Sequence, residues 1–129
     1  MYKAVIDASA LLAFLKDESG PLDDLESLLP KSIISSVNAC EVATVMIRLG
    51  IPFDTIDGLI NETVGDIIPF HKEHYLLAAN LWETTKAYGL SLGDRACLAL
   101  AQQMKLPVYT ADQVWGKLKI DNIEIRLIR

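Results

Sequence analysis

Four acidic residues stand where an unpartnered carboxylate is costly: Asp7 in AVIDASALLAFL, Glu41 in SSVNACEVATVMI, Asp94 in LSLGDRACLALA and Asp112 in PVYTADQVW. Each adjoins an apolar or small-residue segment, whereas most of the other acids lie in polar stretches. If folding gathers the four, they form an oxygen cage that needs a cation, because unpaired carboxylates resist sharing a partly buried site. Oxygen ligands select Mg²⁺ or Mn²⁺; zinc would call for His or Cys. Such a cluster suits phosphodiester hydrolysis, where the cation holds the phosphate, acidifies a water and offsets charge on the leaving oxygen.

Singly, each acid has a plainer reading. An Asp just after a strand commonly caps a turn or helix, and Asp94, behind Gly93, can cap the helix that begins there. Capping does not explain Glu41, which should lie inside its helix beside Cys40 and Val42. Ala39, Cys40 and Ala43 keep that face small. Ser9 and Thr110 stand two residues from Asp7 and Asp112, where a hydroxyl either orients a carboxylate or closes a local turn. Asn38 reads as the N-cap of Glu41's helix. Arg95 has two open readings, a phosphate contact or a pairing with an acid.

The remaining candidates read as structural. His71 and His74, spaced i,i+3 without an HExxH pattern, are expected as solvated first-turn residues. Trp82 and Tyr75 follow helical spacing with Leu81 and Ala78, which predicts core packing. The two cysteines, Cys40 and Cys97, sit in apolar helical segments and are expected as buried thiols. No P-loop or GxGxxG occurs in the sequence, and GLSLG at 89–93 has the GxSxG spacing but lies between two expected helices instead of at a strand-to-helix elbow, so acyl transfer and dinucleotide binding lack support.

The elements that must position the acids alternate in type. Continuous apolar runs predict strands at 2–6, 32–35, 66–70 and 106–109, and an alternating run predicts an edge strand at 123–128. Three-to-four spacing predicts helices near 10–16, 38–49, 55–63, 72–88, 92–104 and 113–117. Gly50 and Gly89 read as helix stops. Alternating strands and helices imply a parallel sheet covered on both faces, an α/β three-layer domain with ligands beyond the carboxyl ends of the strands. Asp7 and Asp112 fall at such ends, and Glu41 can face the same edge. Asp94 reaches it only if the chain has already returned there.

Composition bounds the rest. The 129 residues suit one domain spanning 1–129, and 51% hydrophobic with 22% charged residues is a globular composition. No apolar run approaches the ~20 residues of a membrane span, and Asp7 interrupts any signal-like N-terminus, so a cytoplasmic protein is expected. A net charge of −5 argues against an extended basic groove. Without the four acids the balance is close to neutral, and bound cations would reverse the sign of the site.

VIDASALLAFL, SSVNACEVATVMIRLG, GLSLGDRACLALA and YTADQVW, in this order and spacing, resemble the PIN-domain family, and within it the VapC-type toxins of bacterial toxin–antitoxin pairs. GLSLGDRACLALA is the most distinctive of them, and the resemblance covers essentially the whole chain. It implies an α/β/α domain with a five-stranded parallel sheet and a Mg²⁺- or Mn²⁺-dependent endoribonuclease site. By motif the family's acids fall on Asp7, Glu41, Asp94 and Asp112, which brings Asp94 back to the shared edge. Ser9, Asn38 and Thr110 match positions the family often fills with these types. The resemblance also implies an RNA substrate, a small antitoxin whose tail occupies the acidic site, and a homodimer. A mean hydropathy of +0.27 is compatible with a partner-covered surface. The competing expectation is an inactive PIN-like module that binds metal, RNA or a protein without turnover.

Overall fold

Side-chain alternation along the central strands divides the hydrophobic core in two. In a computed structural model describing residues 1–17 and 23–128, Val5 and Ile33 pack on one face of the sheet, Ile6 and Ile34 on the other. All four side chains are fully buried. Strands buried on both faces have no polar side to spare, which is why these runs are continuously apolar.

The strands are β1 (Ala4–Ile6), β2 (Ser32–Ser35), β3 (Asp66–Ile68), β4 (Val108–Thr110) and β5 (Ile125–Leu127). They form one five-stranded sheet, every pair parallel, in the order β3-β2-β1-β4-β5. The sequence expectation of a parallel α/β sheet is met, and β5 lies at an edge as its alternation predicted. The order reverses at β1, whose neighbours are β2 and β4. A crevice therefore opens beyond the carboxyl ends of β1 and β4.

The helices are α1 (Ala8–Leu15), α2 (Asp23–Leu28), α3 (Ser36–Arg48), α4 (Phe53–Thr63), α5 (Lys72–Asn80), α6 (Trp82–Thr85) and α7 (Leu92–Met104). Leu11 of α1, Leu25 of α2, Val42 and Met46 of α3 and Ile56 and Ile60 of α4 pack on the Ile6 face. Ala78 of α5 and the run Cys97–Ala101 of α7 pack on the Val5 face, with Trp115 and Leu118. Helix α3 also touches α7. Gly50 and Gly89 end their helices with φ of 87° and 70°, as stops should.

Several local expectations are corrected. The helix expected over 72–88 divides at Leu81 into α5, α6 and a 3₁₀ turn over Lys86–Tyr88. The Thr85 and Thr84 hydroxyls both donate to the Leu81 carbonyl, at 2.7 and 3.2 Å, competing with its backbone partner. Helix α2, with only two leucines in DDLESL, carried too little apolar pattern to be seen. Trp82 and Tyr75 are about half exposed instead of in the core, and Lys86 Nζ sits 4.6 Å from the Trp82 ring centroid. Cys40 is exposed, because the buried stripe of α3 runs through Ala39, Val42 and Met46 and passes it by. His74 is not solvated: it is 1% exposed, its Nδ1 accepts from the His71 N–H, and its Nε2 pairs with Gln103 of α7.

Candidate active site

Asp7 leaves the end of β1 and caps α1, its Oδ1 accepting from the Ala10 N–H at 2.9 Å. The capping requirement turns the carboxylate inward over the sheet edge. There it is 4% exposed, yet it has no cationic neighbour: the ion pairs of the described residues are Lys86–Glu83 and Arg126–Glu124, both on the surface. Hydroxyl groups take the cation's place. Thr110 Oγ1, at the end of β4, donates to Asp7 Oδ2 at 2.6 Å, and Ser9 Oγ lies 2.8 and 2.9 Å from the two carboxylate oxygens.

Both hydroxyls are aimed from behind. Ser9 Oγ accepts from the Ala111 N–H at 2.9 Å, and Thr110 Oγ1 accepts from the Asp112 N–H at 3.0 Å. With a lone pair committed to the backbone, each oxygen turns its proton toward Asp7. Burial pushes the Asp7 carboxyl up to about 6, against the pull of these hydrogen bonds, and the nearby charge of Asp94 adds to the rise.

Glu41 arrives from α3. Ser35, not Asn38, is the N-cap of that helix, accepting from the Val37 N–H at 3.2 Å. The corrected start places Asn38 one turn in, buried to 1%, where its Nδ2 donates to Glu41 Oε1 at 2.7 Å and to the Gly93 carbonyl at 3.0 Å. Glu41 itself is exposed on its solvent side.

Asp94 stands in the first turn of α7 and serves that helix as well. Its Oδ2 accepts from the Ser91 N–H at 2.9 Å while Ser91 Oγ accepts from the Asp94 N–H at 3.2 Å, a reciprocal capping box. The plain capping reading is therefore true of Asp94, and it leaves the carboxylate half-exposed near Asp7. The Cys97 thiol, fully buried one turn further along α7, reports the convergence. Burial holds its pKa well above the ordinary thiol range, and the charges of Asp7, Asp94 and Glu41 all push it the same way.

Asp112 stands apart from these three. It is exposed and caps the 3₁₀ turn Gln113–Lys117 by accepting from the Val114 N–H at 3.1 Å, and its link to Asp7 runs through its backbone N–H and Thr110. Arg95 turns to the α5 side, its Nη1 donating to the Ala78 carbonyl at 3.0 Å. Gly93 was missed from sequence, although a glycine in the first turn of an otherwise strong helix was a signal, since it costs ~0.5–1 kcal/mol relative to alanine.

Among the described residues no three His, Cys, Asp or Glu side chains close on a common point as a complete ligand set. The donor chemistry nonetheless fits a hydrated hard cation, which keeps several waters and takes only one or two carboxylates directly. Asp7 is the observation behind that fit: a buried carboxylate with neutral donors, the charge of Asp94 acting on it, and no ion pair of its own among the described residues.

The PIN domain profile matches residues 4–120. Comparison with curated proteins gives no match. Among solved structures, a toxin–antitoxin complex from Klebsiella pneumoniae is similar at 20% identity and TM-score 0.73, covering 94% of this chain and 95% of that one. The DNA-bound VapBC of Salmonella typhimurium is similar at 15% identity and TM-score 0.78, with full coverage of both chains (100% and 100%). VapC20 of Mycobacterium tuberculosis, a sarcin–ricin loop cleaving toxin, is similar at 13% identity and TM-score 0.72, covering 91% and 97%. At these identities the likeness is one of fold.

Proposed function

The chain belongs to the PIN-domain family, and on that premise we propose that it is a Mg²⁺- or Mn²⁺-dependent endoribonuclease, the VapC-type toxin of a toxin–antitoxin pair. The observation that carries this reading is Asp7, buried at the switch point of the sheet with its pKa raised to about 6 and with Asp94 acting on it. A carboxylate so placed is poised for a cation that its own protein does not supply.

Asp7 and Asp94 would hold the metal directly, with Glu41 and Asp112 reaching it directly or through water. A bound Mg²⁺ or Mn²⁺ supplies positive charge beside the scissile phosphate and acidifies the attacking water. The chain's own work is orientation. Ser9 and Thr110 fix both oxygens of Asp7, so its carboxylate cannot rotate out of the crevice. Asn38 fixes one oxygen of Glu41 and leaves the other free to accept a proton from water at the open side of the site.

The natural occupant that restrains such a nuclease in the cytoplasm is an antitoxin covering the acidic site, and similar folds occur in the Klebsiella and Salmonella complexes. An apolar groove of about 420 Å³ between α3 and α4, lined by Ala39, Cys40, Ala43, Phe53, Ile56 and Ile60, suits a partner's apolar side chains. Phe53 is 82% exposed there. A homodimer belongs to the same reading.

The deciding experiment is RNA cleavage by the purified protein with Mn²⁺ or Mg²⁺, against Asp7→Asn and Asp94→Asn. Cleavage that needs the metal and falls by more than about a hundredfold in either variant supports the reading. Folded variants that cut as well as the parent sink it. Mn²⁺ binding with no cleavage of any RNA favours a binding module instead.

A further inference from the structure

Gly93 has no side chain because the Glu41 carboxylate occupies the place where one would go. A Cβ built on Gly93 would lie 2.6 Å from Glu41 Oε1 and 2.8 Å from both Oε2 and Cδ. A methyl carbon cannot hydrogen-bond, so at under 3.0 Å from these atoms it would be repelled, and an alanine and this carboxylate position exclude each other.

Asn38 holds the carboxylate in that place. Its Nδ2 bridges Glu41 Oε1 at 2.7 Å and the Gly93 carbonyl at 3.0 Å, joining α3 to α7 across 55 positions of sequence. The amide cannot be flipped, since its oxygen would then face two acceptors. The preference holds although the Asn38 Oδ1 is left buried without a donor among the described residues. Two acceptors thus decide the orientation against the cost of one orphaned oxygen.

We infer that Asn38 and Gly93 are positioning residues: together they seat the Glu41 carboxylate against the first turn of α7, beside Asp94. The inference rests on the proposed metal-dependent nuclease and goes beyond it, because neither residue would touch substrate or ion. The seat is held by the free end of a flexible side chain. A Cβ at position 93 therefore displaces Glu41 without forcing the backbone apart, and helix propensity favours alanine over glycine. Function and stability should move in opposite directions, which a merely structural glycine would not produce.

The test uses the full chain with Mn²⁺ as the probe. In Gly93→Ala, Mn²⁺ affinity and RNA cleavage should fall about 10- to 100-fold, the range for loss of an outer positioning partner. The midpoint of thermal unfolding without metal should stay level or rise, and the Asn38 side-chain amide resonances should shift. Asn38→Ala should lose Mn²⁺ affinity similarly. Glu41→Asp, one methylene shorter, withdraws the carboxylate from the Cβ, so adding Gly93→Ala to it should cost little more. Wild-type Mn²⁺ affinity and cleavage in Gly93→Ala, or an equal loss in the Glu41→Asp background, overturns the latch. A wild-type protein that neither binds Mn²⁺ nor cuts RNA overturns the nuclease reading instead, and with it any functional meaning for a latch whose geometry the amide resonances would still report.

Discussion

Thr110 and Asp7, 103 positions apart, are joined by a hydroxyl–carboxylate hydrogen bond of 2.6 Å across the seam between β4 and β1. Thr110 is fully buried, and its Oγ1 also accepts from the Asp112 N–H. Thr110→Val keeps the shape and removes both bonds. It should cost about 1–3 kcal/mol, because a buried carboxylate oxygen loses its nearest donor and a backbone N–H loses its acceptor. Urea unfolding at pH 7.5 checks this; a change under about 0.5 kcal/mol would mean that the bond contributes little.

The charge on Asp7 sets the pH dependence of the metal-free protein. Its carboxyl is raised from 3.8 to about 6 by burial, so the folded state holds that proton more tightly than the unfolded chain. The resulting contribution is complete below 3.8 and is lost as pH rises through about 6, a difference of about 3 kcal/mol. Asp7→Asn carries no charge to bury. In EDTA it should therefore gain on the parent above pH 6, by up to about 3 kcal/mol, and show no such gain at pH 4. A constant offset across pH 4 to 8 would contradict the assignment.

Protons and cations compete for the same carboxylate. Mn²⁺ affinity, followed by calorimetry, should rise by about tenfold per pH unit below 6 and level off above it as Asp7 ionises. Binding that is flat between pH 5 and 7 would place the ion elsewhere.

His74 ties the N-terminus of α5 to α7 from a buried position. His74→Ala should destabilise by about 2–4 kcal/mol, through a cavity and an unpaired His71 N–H. His71→Ala, at an exposed side chain, should change stability by less than about 1 kcal/mol. Equal effects would mean that the burial of His74 carries no energetic weight.

Local pattern made much of this protein legible. The apolar runs that became β1, β2 and β4 are continuous because strands covered on both faces have no polar side. The acids stood out because a carboxylate beside such a run is costly. Asp7 and Asp112 at strand ends, and the edge placement of β5, followed from that alone.

What sequence could not supply was which helix faces which. The placement of β1 between β2 and β4, the turn of α3 that buries Asn38 and exposes Cys40, the burial of His74 and the fit of Glu41 over Gly93 all depend on packing between segments distant in the chain, and the return of Asp94 to the edge that holds Asp7 was legible only through the motif resemblance. A period of 2 or 3.6 fixes the face of one element relative to itself. Only close packing of two elements decides where a side chain ends, and the candidate site is made almost entirely of such contacts.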